Sequence, residues 1–118
     1  MIAGTVTDEG EPVIRLNAGG RVWTALIDTG FNGDLELPEG LRQSVNPRFL
    51  LRERSLLAGG QSIDEDIFEV DFPFDGAVVT AEAAFAPSDT ILVGTHLLRG
   101  YSLLVNFFAR TVMLERVA

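Results

Sequence analysis

The sequence contains no cysteine and no lysine, a single histidine, and no apolar run as long as a membrane span. Without cysteine there are no disulfides, no thiolate nucleophile and no zinc-thiolate site, and thiol usage carries no information about compartment. With His96 alone, neither a Ser/His/Asp triad nor a multi-histidine metal site can be built within one chain. No metal and no cofactor are therefore expected, and His96 reads as structural. The basic residues are nine arginines in no run or stripe, against 17 acids. A net charge of −8 and a pI near 4.4 repel a phosphate backbone, so nucleic acid is not an expected partner. The longest apolar-rich stretch, Gly100 to Val112, is interrupted by Ser102, Asn106 and Arg110 and is shorter than the roughly 20 residues of a span, so no membrane partner is expected. Met1 to Asp8 lacks the basic flank and apolar core of a signal peptide, which makes a cytoplasmic location the expectation.

What the chain does have is apolar content, 47% of 118 residues, enough for one core and hence one domain over residues 1–118. Turn signals recur at Asp8-Glu9-Gly10, Asn17 to Gly20, Phe31 to Asp34, Ala58 to Gln61 and Phe74-Asp75-Gly76. Between them lie ten β-type runs: Ile2 to Thr7, Val13 to Leu16, Arg21 to Ile27, Leu35 to Leu37, Phe49 to Leu57, Ile63 to Phe72, Ala77 to Ala84, Ile91 to Val93, Tyr101 to Phe107 and Thr111 to Val117. Two short stretches read as helical, Glu39 to Val45 after Pro38 and Thr95 to Arg99 before Gly100. The pattern predicts an all-β domain, closed or sandwiched. Trp23, on the third run, is expected in the core.

Chemistry concentrates where the apolar run Ala25-Leu26-Ile27 meets Asp28-Thr29-Gly30. A carboxylate at the end of a buried strand is desolvated, which raises its pKa unless partners oppose the shift, and perturbed carboxylates are candidates for proton chemistry. Alone the tripeptide is a weak signal: at ordinary residue frequencies about one chain in forty of this length contains it, and Asp-Thr-Gly also serves as a plain turn. A second feature follows 66 residues later, where Ile91-Leu92-Val93 meets Gly94. A glycine there implies close backbone approach to another element.

In this order and spacing the two features resemble the retropepsin-like aspartic proteases, most like the short stand-alone microbial members, whose Asp-Thr-Gly-Phe-Asn-Gly loops match Asp28 to Gly33. The resemblance covers nearly the whole chain. It implies a closed acid-protease-like β-barrel with one short helix and one half-site per subunit, and therefore a homodimer that hydrolyses peptide bonds in a peptide or protein substrate. The termini, Ile2 to Val6 and Thr111 to Val117, are expected to pair across the two-fold interface. By the same resemblance, Asp28 and its symmetry mate hold the attacking water, Thr29 braces the two loops across the axis, and Gly30 admits the substrate backbone. Phe31 and Asn32 would line the substrate site, Ala58, Gly59 and Gly60 would form the tip of a flap closing over an extended peptide, and Gly94 would support the loop from behind.

Two departures stand out. Many viral members carry an acid four residues after the catalytic Asp and an Arg after the second-motif glycine, whereas this chain has Asn32 and Thr95. Phe31 replaces the small or hydroxyl residue that commonly follows the motif. A different reading is a catalytically inactive dimeric module that keeps the fold to bind peptide or a partner, and a third is an unrelated small barrel with a ligand in its mouth.

Overall fold

The computed structural model describes residues 1–57 and 59–118. The strands are β1 Ile2–Val6, β2 Pro12–Ala18, β3 Arg21–Ile27, β4 Leu35–Pro38, β5 Arg48–Leu56, β6 Ser62–Phe74, β7 Ala77–Ala86, β8 Ile91–Val93, β9 Tyr101–Asn106 and β10 Thr111–Arg116. Each coincides with one of the ten expected runs to within two residues at either end. Alternation does the work in β2 and β3: Ile14, Leu16 and Ala18 face inward with Trp23, Ala25 and Ile27, while Arg15, Asn17 and Thr24 face solvent. Trp23 is in the core as expected, and its indole N–H donates to the Ala18 carbonyl at 3.0 Å, so burial leaves no orphan donor. Phe72, Phe74 and Leu37 are fully buried, each stabilising the fold by about 1.5–3 kcal/mol through removal from water.

All ten strands form one sheet in the order β5-β6-β7-β4-β8-β3-β2-β1-β10-β9. The expected closure into a barrel is not found. Closure needs the two edges to pair, but β5 is carried away on a long hairpin with β6 while β9 lies at the opposite end. The sheet curls so that β2 lies against β6, and side-chain packing encloses the core in place of a hydrogen-bonded seam.

The termini also differ from expectation. β1 and β10 pair antiparallel within the chain, Ile2 opposite Leu114 and Thr5 opposite Thr111. Hydrophobic register explains this: Val112 and Leu114 are buried on the face that also receives Val6 and Ile14.

Of the two helical stretches, one forms. Glu39–Ser44 is a 3-10 helix started by Pro38, with Leu41 buried and an Arg42–Glu39 pair on its exposed side. Thr95 to Arg99 is instead a series of i to i+3 turns, Leu98 N–H to Thr95 and Tyr101 N–H to Leu98. Five residues cannot repay helix nucleation when Tyr101 must already enter β9. Among the described residues no helix is long and apolar enough to cross a membrane.

Candidate active site

The site is set by a parallel strand pair at the centre of the sheet. β3 runs beside β8 with Ile27 opposite Val93, so the residues that follow each strand, Asp28 and Gly94, emerge together. The Asp28 amide donates to the Val93 carbonyl at 2.9 Å, which places the acid at the end of the buried strand. Its Oδ1 accepts from the Gly30 N–H at 3.0 Å, and its carbonyl accepts from Phe31 N–H at 3.1 Å, closing a tight turn. Asp28 is half-buried, while Thr29 and Gly30 are exposed. The acid is thus held by main chain on one side and open to solvent on the other.

Gly94 packs behind this loop. A Cβ at Gly94 would lie 2.1 Å from the Gly33 carbonyl oxygen and 2.9 Å from the Phe31 ring, so no side chain fits. β8, Gly94 and the turn after it are laced to the loop by four main-chain bonds: Asp28 N–H to Val93, Gly94 N–H to Asp34, Thr95 N–H to Phe31 and His96 N–H to Gly33. Thr95, where an Arg was noted as usual, adds a hydroxyl bond of 3.4 Å to the Phe31 carbonyl, and Asn32 is exposed.

The β5–β6 hairpin projects opposite the loop. A cleft of about 450 Å³ runs between them, lined by Phe31, Asn32 and Gly33 on the loop side and by Glu53 and Ser55 of β5. Gly59 and Gly60, at the hairpin tip, have φ of 92° and 86°, the left-handed region that only glycine adopts freely. Ala58, the third expected tip residue, lies outside the described residues. Asp34, Glu53 and Glu82 make this cleft acidic. In an adjoining pocket that shares Phe31, Gly33 and Glu53 with it, burial, reinforced by the charges of Glu65 and then Asp28, raises the Glu36 carboxyl above its ordinary value.

Asp34 was not singled out from sequence. It is the one charged residue buried in the core among the described residues. Its Oδ2 accepts from the Glu82 N–H at 2.9 Å and its Oδ1 lies 2.6 Å from His96 Nδ1. Sequence contained only a faint signal, an acid at the start of the apolar stretch Leu35-Glu36-Leu37.

The architecture is that of the retropepsin-like aspartic proteases. A retropepsin-like aspartic protease from Rickettsia conorii superposes with a TM-score of 0.67 at 15% identity, covering 96% of this chain and 88% of that one. The solution structure of simian foamy virus (mac) protease gives 0.57 at 21% identity, over 74% of this chain and 91% of that one. The foamy viral protease-reverse transcriptase, solved with an RNA/DNA hybrid, gives 0.61 at 14% identity over 80% of this chain, which spans only 13% of that protein. No family model and no curated protein matches the sequence. At these identities the likeness establishes the fold.

Proposed function

We propose that the protein is an aspartic endopeptidase that works as a homodimer, with Asp28 of each subunit supplying one half of a shared carboxylate pair. The observation that carries this reading is the placement of Asp28: half-buried at the end of a core strand, fixed by the Val93 and Gly30 main chain, on a loop whose next residues, Phe31 to Gly33, line a cleft with β5 of the glycine-tipped hairpin. One carboxyl cannot at the same moment take a proton from the water and donate one to the scissile carbonyl, and the chain has one Asp-Thr-Gly. Two Asp28 carboxylates brought together cannot both ionise at low cost, so they share a proton. The ionised member takes a proton from the water, the protonated member donates toward the scissile carbonyl, and the two act as one coupled unit. Thr29 and Gly30, both exposed, are available to the partner loop and the substrate backbone. Phe31 and Asn32 with Gly59 and Gly60 then line the extended peptide, and Gly94 holds the loop.

We assign the β9 edge to the second copy. β9 ends the sheet, follows directly on the turn packed behind Asp28, and reads Tyr101-Ser102-Leu103-Leu104-Val105-Asn106 without a charge, in a chain of net charge −8 that repels itself elsewhere.

Asp28→Asn tests the reading. The substitution keeps size and most hydrogen bonds and removes the titratable proton. Peptide cleavage should fall by about 10³-fold or more with melting temperature and dimer fraction unchanged or slightly raised. Cleavage at the parental rate would refute the catalytic role.

A further inference from the structure

The Asp34 carboxylate joins three elements. Through its own carbonyl and Oδ1 it meets the turn after β8, at Gly94 N–H and His96 Nδ1, and through Oδ2 it meets the Glu82 N–H of β7. A carboxylate only accepts, so the His96 ring carries a proton on Nδ1 toward it. Arg99 Nη1, 3.2 Å from the same nitrogen, donates to the His96 carbonyl at 2.7 Å and holds the residue from the other side. Burying a carboxylate is costly unless both oxygens are satisfied, and here both are.

The other ties between the Asp28 loop and this turn are main-chain bonds or the long Thr95 hydroxyl contact. The Asp34–His96 bond is the short side-chain tie, and it anchors the end of the loop that begins at Asp28. The His96 ring is half-exposed and lines the same cleft as Phe31, Asn32 and Glu53.

We infer that Asp34 and His96 are positioning residues for Asp28: their bond holds the loop at the angle that brings the two Asp28 carboxylates of a dimer close enough to share a proton. The inference rests on the peptidase reading above. Loosening the tie separates the two carboxylates and weakens their coupling. Their two apparent pKa values then move toward each other and the pH–rate bell narrows, an effect that loss of stability alone does not produce. The Asp34 carboxylate and the Arg99 guanidinium contact the imidazole; Glu53 and Glu82 line one cleft with it, and Glu69, Glu82 and Arg116 line another.

The test compares the parent, His96→Ala, His96→Asn and an Asp28→Asn control, all assayed well below their melting temperatures with the dimer fraction measured. His96→Asn puts an amide N–H where Nδ1 was, without a titrating ring. His96→Ala should lower kcat by about 10- to 100-fold with KM within about twofold, the scale of a slightly misplaced catalytic group. It should also narrow the pH–rate bell and speed amide exchange at Gly30 and Phe31. His96→Asn should restore most of all three. Parental kcat and bell width in folded, dimeric His96→Ala would overturn the inference, as would unchanged exchange, or faster exchange with unchanged kcat. If His96→Ala does not fold, failure of His96→Asn to keep parental kcat and bell width overturns it. A control that cleaves like the parent, or a parent that never cleaves, identifies failure of the peptidase reading itself, and the positioning role falls with it.

Discussion

The two edges of the sheet are built differently. β5 carries Arg48, Arg52, Glu53 and Arg54, pairs across to β6 through Arg54–Asp64 at 3.1 Å and Arg48–Glu69 at 2.9 Å, and slips register between Phe49 and Leu51. Charge and irregularity of this kind keep an edge from recruiting another strand. β9 has neither; its own Leu104 is exposed, as are Phe107, Phe108 and Met113 beside it. The ends differ in depth as well: β5 has no buried residue, whereas β10, next to β9, buries Val112 and Leu114. One end is a hairpin held mainly by its own ladder and ion pairs. The other is part of the core and ends in an edge strand without a charge.

The largest effect should come from the core side of that contrast. Leu114→Ala removes a fully buried side chain and should cost about 2–5 kcal/mol of unfolding free energy, whereas Leu51→Ala on β5 should stay within about 0.5 kcal/mol. Urea denaturation of both variants measures this, and equal losses would mean that the hairpin shares the core's stability.

Next in size is the edge itself. Leu104→Glu places an acid on β9 and its symmetry mate nearby, and should weaken the dimer on the order of 100-fold, with cleavage lost in parallel. Leu51→Glu on β5 should leave the dimer intact. Sedimentation over a wide concentration range decides between them, and dissociation by Leu51→Glu alone would move the interface to the other edge.

The smallest effect concerns how β9 is fastened at its start. The Tyr101 hydroxyl donates to Asp75 Oδ2 at 2.9 Å and, against a desolvation penalty and helped by the Met1 ammonium, holds that carboxyl below its ordinary value. A depressed carboxyl contributes stability that is present above the unfolded-state pKa, near 4, and is lost as pH falls through the lower folded value. Tyr101→Phe should therefore lower the melting temperature slightly at pH 6, and the gap to the parent should close as pH drops below about 4. A gap that stays constant with pH would mean that lost ring packing, and not the hydroxyl, is responsible.

Local information was enough for much of this protein. Strand periodicity is a property of neighbouring residues, so all ten strands and the burial of Trp23 were legible in the sequence, whereas the packing of Gly94 behind the Asp28 loop was implied only by the family resemblance. What depends on contacts distant in the chain was not. Whether the sheet closes rests on where β5 and β9 end up, and the termini pair within the chain because Val112 and Leu114 reach a face assembled from β1 and β2. Thr95 to Arg99 has helical composition, yet it turns in i to i+3 steps because β9 starts directly after it. His96 reads as structural from its isolation in the sequence. Only the tertiary fold brings it to Asp34, 62 residues away, at the one core position among the described residues where a buried carboxylate has both oxygens satisfied.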